Sequence, residues 1–247
     1  MKSPDVRRWT GIAAFAVALF LGLEAITKLT MGHRPELDQS DALIAYMQAT
    51  RVRTFIVILS DTLLMAWLIV FLACFRQLVT RARRDLKWIA DIFFAAGIAF
   101  ICVTLVGDAM DGGSALDVVG LRPDPSVIRA LTEGHAIMFG STGAVLLALV
   151  SGAAAYLTFV SEVVPRWIGV LAALTAVSNL LWAPIGFVGT SPVNFFAAGG
   201  FGNALFAVFP WLAWVICVGI ATVPSRGYFR VGTRRRQSPG YAPYSSR

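Results

Sequence analysis

Six apolar runs, at 9–31, 55–75, 88–107, 135–158, 167–188 and 203–223, limit what this chain can fold into more than any other feature. Each is close to the roughly 20 mostly apolar residues that a helix needs to cross a bilayer. Charges, prolines or glycine-rich turns bound every run, and the connections are too short for a separate soluble domain. Only 14% of the residues are charged, against roughly 25% in a soluble domain. The expected fold is therefore all-α, a polytopic membrane protein with six transmembrane helices over residues 1–223. The basic start "MKSPDVRR" resembles the n-region of a secretory signal. Glu24, however, stands where small residues would mark a cleavage site, so the first run is read as an anchor.

The basic residues predict orientation. With the N-terminus inside, 15 of the 21 Lys and Arg lie in inner segments, as the positive-inside rule requires. Eight acids from Glu36 to Glu133 lie in outer ones. Both termini are thus expected in the cytoplasm and the chain in a bacterial plasma membrane. Spans one, three and five open on Arg8-Trp9, Lys87-Trp88 and Arg166-Trp167, spaced by 79 residues each time. A cation beside tryptophan is an interfacial anchor. Beyond these anchors the three hairpins share little, and no internal repeat is inferred. The tail over 224–247 is rich in Pro, Gly, Ser and Arg and is expected to be disordered. Its Arg234-Arg235-Arg236 run is a candidate contact for anionic lipid. No aromatic platform accompanies that run, so no nucleic-acid partner is expected.

In the connections, Ser40 is expected to cap a short helix over "SDALIAYMQAT" that lies on the outer surface, a candidate lid. Asp124 caps and Pro125 starts a fourth helix that begins before the membrane does. The uncharged 189–200 segment is a candidate re-entrant loop. Ala136, Gly140, Ala144, Ala148 and Gly152 form a small-residue stripe for close helix packing. Pro184 and Pro210 are expected to kink spans five and six. Cys74, Cys102 and Cys217 lie inside spans without metal-binding spacing and are read as buried apolar thiols.

The polar residues within the runs are the candidate functional groups. Counting about 1.5 Å per residue, Glu24 lies about 22 Å from Trp9, and Asp61 about 9 Å inside Phe55. Both acids then occupy the outer third. Thr104, Asp108 and Asp111 share one face at the outer end of span three, while Glu133 and His135 open span four. Asn179 shares a face of span five with Thr175, Ser178 and Trp182, and Asn203 begins span six. A charge near a helix centre costs roughly 2.5–3.5 kcal/mol on insertion scales. Glu24 and Lys28, one turn apart, relieve that cost by pairing, and a plain intrahelical pair is as good a reading as a functional one. Asp61 has Val57, Ile58, Leu64 and Met65 one turn away. It needs Lys28, another helix, a solute, water or a proton. The ordinary reading of His135 is a solvated interfacial histidine, and of the outer acids a solvated rim. The candidate solute or ion site comprises Glu24, Lys28, Asp61, Asp108, His135, Asn179 and Asn203.

No Walker loop, HExxH, GxSxG or paired intramembrane histidines occur, so no cofactor, metal or catalytic residue is assigned. At "VPRWIGVLAAL", Val164 to Leu174, and above all at Pro165-Arg166-Trp167-Ile168-Gly169, the chain resembles a bacterial family of uncharacterised multi-pass membrane proteins. The resemblance implies a bundle of six or seven helices and assigns no residue a role. Three functions stay open. The first is binding or transport of a small solute through an outward-facing polar cavity. The second is an accessory or assembly subunit with a membrane-protein partner. The third is a lipid-handling enzyme, whose acid role the Glu24–Lys28 pair would hinder.

Overall fold

The computed structural model describes residues 5–120, 123–189, 191, 194–197 and 201–223. Among these there is no strand, and six helical segments are long and apolar enough to cross a membrane. The protein is all-α and has the makings of a multi-pass membrane protein. The basic tail, with Arg234, Arg235 and Arg236, lies outside the described residues.

Helix α1 (Val6–Met31) starts on Asp5, whose side chain accepts from the Arg8 amide at 3.3 Å. It stops at Gly32, where φ is +76°, a conformation that costs glycine little. Helix α2 (Ser40–Ala82) is one unbroken helix of 43 residues, about 64 Å long. This corrects the separate surface helix expected at Ser40. The two segments fuse because no proline or glycine lies between Ser40 and Phe55 to stop propagation. The apolar side of that segment packs inward. Leu43 and Met47 are buried with Ala115, Val118 and Ile128 in a small secondary core. Helix α3 (Lys87–Asp117) likewise runs ten residues beyond the expected end at 107. Helix α4 (Pro125–Ile137) begins as expected, with Asp124 accepting from the Ser126 amide at 2.8 Å.

A π-helical turn, Met138–Thr142, joins α4 to α5 (Gly143–Ser161). Helix α6 (Arg166–Trp182) passes into a 3-10 segment, Ala183–Val188, at Pro184. The last span comprises α7 (Phe201–Asn203), a second π-helical segment, Ala204–Val208, and α8 (Phe209–Thr222). Pro210 falls in the first turn of α8, where it needs no amide hydrogen. Four residues back, the Phe206 carbonyl accepts instead from the Ser178 hydroxyl of α6 at 2.5 Å. The prolines therefore change helix type at the positions where kinks were expected.

The spans form a ring. Helix α1 packs between α2 and α8, α2 against α3, α3 against α5, α5 against α6, and α6 against α8. Small residues close it: a Cβ on Gly219 would lie 3.3 Å from Ala14 of α1. Arg7 of α1 also donates to the Ala221 carbonyl at 2.9 Å. In the small-residue stripe, Ala144 and Ala148 are buried and Gly152 faces Ala176 of α6. Part of the ring interior is filled by Phe71, Phe75, Phe93 and Trp214, with ring centroids 5.3–6.3 Å apart. Leu19, Leu29, Leu59 and Leu181 face outward, as a lipid-facing bundle surface demands. Trp9, Trp88 and Trp167 are exposed in the first turn of their helices. The cysteines are a correction: all are free, but Cys102 is exposed and Cys74 and Cys217 are half-buried. A bundle that is apolar on its outside gives a thiol no reason to hide.

Candidate functional site

Glu24, Asp61 and Asp108 are 6%, 2% and 3% exposed, and they come from three adjacent helices. Some interior hydroxyls are satisfied within their own helix: Thr10, Ser60 and Thr175 each donate to the carbonyl four residues back at 2.8 Å. The acids have no such local remedy, because a carboxylate only accepts. Lys28 answers for one of them, donating to Glu24 Oε1 at 2.5 Å. Its ammonium also lies 5.6 Å from the centroid of the Phe139 ring and within electrostatic reach of Asp61 and Asp111.

Asp61 meets Asp108 of α3, their carboxyl groups within hydrogen-bonding reach of each other. The Oδ2 atoms of both have no donor among the described residues. Glu24 and Lys28 stand close enough to act electrostatically on the pair. The depth count from sequence thus places Glu24 and Asp61 together correctly. What it does not find is that Asp61 faces a second acid more intimately than it faces Lys28.

One turn beyond Asp108, Asp111 accepts from Arg34 at 2.9 Å. Arg34 in turn approaches the Tyr46 ring of α2, 6.0 Å from its centroid. This pair ties the α1–α2 connection to α3 and α2. Arg34 carried no helical pattern and sequence reasoning missed it; the only available signal was a lone cation near an acidic face. His135 is half-buried rather than solvated. Its Nδ1 lies 2.9 Å from the Gly107 carbonyl, and its ring packs on Phe139 at 4.7 Å. Gly107 makes this possible, since a Cβ there would stand 3.0 Å from the Phe139 ring. Phe139 belongs to the first π-helical turn, a device that recurs at functional sites.

Asn179 and Asn203 belong to a second group, on α6 and α7. Asn179 is fully buried and donates to Thr175 O at 2.9 Å. Its Oδ1, Asn203 Oδ1 and Trp182 Nε1 have no partner among the described residues. Trp182 stacks on Phe206 at 5.2 Å, in an aromatic group with Phe195 and Phe196. The seven expected site residues therefore divide into an ionic cluster on α1 to α4 and a neutral group on α6 and α7.

The cluster acids are buried, while the Lys28 side chain is half-exposed. Further along α2 and α3, the secondary core of Leu43, Met47, Ala115, Val118 and Ile128 packs these helices against α4. A shallow hollow above that core is lined by Leu37, Asp38, Ser40, Pro125, Ser126 and Arg129. Another is lined by Ala73, Arg76, Gln77, Thr80 and Lys87. None of the cluster acids lines either hollow. Ser191 donates to Glu36 at 2.6 Å, so the 189–200 segment reaches the α1–α2 connection. Residues 190, 192, 193 and 198–200 of that candidate re-entrant loop lie outside the described residues. Comparisons with family models, with curated proteins and with solved structures return no match.

Proposed function

We infer that this membrane protein binds or transports a small solute at the ionic cluster, in a bacterial plasma membrane with both chain termini in the cytoplasm. The orientation rests on the basic inner segments and on the Arg8-Trp9, Lys87-Trp88 and Arg166-Trp167 anchors. The resemblance at Pro165 to Gly169 agrees with a bacterial multi-pass protein.

The observation that carries the reading is the charge imbalance of a buried cluster. Four carboxyls, on Glu24, Asp61, Asp108 and Asp111, stand against two permanent cations, Lys28 and Arg34. Ionisable groups inside a membrane domain are expensive and normally serve a pathway or ligand. A surplus of acid favours solutes that carry positive charge. Because the acids are buried, solute access requires the ends of α2, α3 and α4 to part.

Uptake of a panel of radiolabelled amines and basic amino acids into proteoliposomes tests the reading. Asp61→Asn should abolish uptake of any accumulated solute and leave the fold intact. Unchanged uptake in that variant removes the proposal. The internal pairing of Glu24 with Lys28 and of Asp111 with Arg34 favours a second reading, in which the cluster only fixes helix packing in an accessory subunit. Reproducible partners after purification at native expression, together with no uptake by the wild type, would support that second reading.

A further inference from the structure

The geometry points to Asp61 and Asp108 as a binding site for one shared proton. The proton site deepens the transport reading by naming its coupling ion, although proton binding itself requires no solute.

Both aspartates are at least nine-tenths buried, each keeps an Oδ2 atom without a donor, and their carboxyls lie within hydrogen-bonding reach of each other. Neither carboxylate can donate, so contact between two ionised groups would be purely repulsive. Facing acids at such separation do not both stay ionised. One proton resolves the conflict. It forms an O–H bond on one carboxyl, which donates to an oxygen of the other, and the pair passes from two negative charges to one.

Every element packed on the pair bears on that charge. Helix α1 presents Glu24 and Lys28, and α3 presents Asp111 one turn away. Arg34 neutralises Asp111 from the α1–α2 connection. His135 of α4 reaches Asp111 and Lys28 electrostatically, and its Nδ1 is occupied by the Gly107 carbonyl. With Glu24 matched by Lys28 and Asp111 by Arg34, the Asp61–Asp108 pair holds the unmatched charge. A proton reduces it by half, and a singly charged cationic solute displacing that proton would leave the net charge unchanged, so the two can exchange one for one. A metal cation is the competing occupant, but no group of three or more His, Cys, Asp or Glu fit to hold one occurs among the described residues.

Infrared spectroscopy of the purified full chain in lipid nanodiscs, without solute, tests the site. At neutral pH the wild type should show the C=O stretch of a protonated carboxylic acid. Asp61→Asn and Asp108→Asn should each remove it, because the new amide donates to the remaining carboxylate and no proton is needed. Asp108→Glu should shift the band without removing it, and exposed Asp38→Asn should leave it unchanged. Should the Asn variants not fold, the Asp108→Glu shift decides alone. Absence of the band in the wild type, its survival in both Asn variants, or no shift in Asp108→Glu overturns the proposal. Stabilisation by sodium chloride but not choline chloride, lost in Asp61→Asn and with no acid band, would assign the pair to a cation and equally overturn it. A missing band with intact amine uptake defeats the proton site alone. A present band with no uptake defeats transport alone.

Discussion

Removing Lys28 should harm the protein far more than removing its partner Glu24. The Glu24 side chain is 9% exposed and that of Lys28 46%, so the two residues stand differently once alone. In Lys28→Met, Glu24 is left near Asp61 with no cation bonded to it. A loss of about 3 kcal/mol is expected, in line with other broken buried pairs. In a chain of this length that lowers the unfolding midpoint by about 6–12 °C. In Glu24→Gln, Lys28 still faces Asp61 and Asp111 and its half-exposed head can reach outward. The expected loss is about 1 kcal/mol, the net worth of one hydrogen bond. The double variant Glu24→Gln/Lys28→Met should recover most of what Lys28→Met loses. Intrinsic-fluorescence melting in one detergent measures all four proteins. A Lys28→Met loss no larger than that of Glu24→Gln, or no rescue in the double variant, would refute the account.

Other residues give independent checks. Ser178→Ala leaves the Phe206 carbonyl without its donor and should cost about 1 kcal/mol in thermal melts. In a Pro210→Ala background the loss should shrink, because the restored amide can take over that carbonyl. Gly202→Ala would drive a Cβ to 2.5 Å from the Phe195 carbonyl oxygen and against Trp182. Melting should register a loss of about 1–3 kcal/mol from this overpacking. Arg34→Gln should strand Asp111 and loosen the join between α3 and the α1–α2 connection, seen as faster amide hydrogen exchange at residues 32–47. For orientation, single cysteines at His33 and Ser225, in a chain lacking Cys74, Cys102 and Cys217, should react with a membrane-impermeant maleimide from opposite sides of sealed vesicles. Labelling from the same side would overturn the assigned topology.

All six spans were legible in sequence because the bilayer imposes a length and polarity that single residues rarely override. Helix ends fixed by local chemistry were legible too, as at Asp124 and Pro125. The unbroken α2 was not. Its charged stretch near Arg51 and Arg53 reads as a loop in hydropathy, although nothing in it breaks a helix. The π-helical turns at Met138–Thr142 and Ala204–Val208 leave no periodic trace, since each inserts a register change that only packing against α3 or α6 selects. Within the site, the residues that matter locally were found, Glu24 with Lys28 among them. The Asp61–Asp108 contact depends on how α2 and α3 rotate against each other, which spacing within one helix does not fix. The same limit separates Asn179 and Asn203 from the acids, because the closure of the ring through α1 and α8 sets which spans are neighbours.

The two kinds of acid pairing differ in when they become available to a growing chain. Glu24 leaves the ribosome within four residues of Lys28, so α1 can enter the bilayer already neutralised. Asp61 and Asp108 sit 47 positions apart, and α2 emerges with its acid unanswered. That helix has reason to wait at the insertion machinery until α3 arrives, so that the two go in as a hairpin. Separating them with a long soluble insert near Arg83 should leave α2 stalled or extruded, while α1 inserts as before.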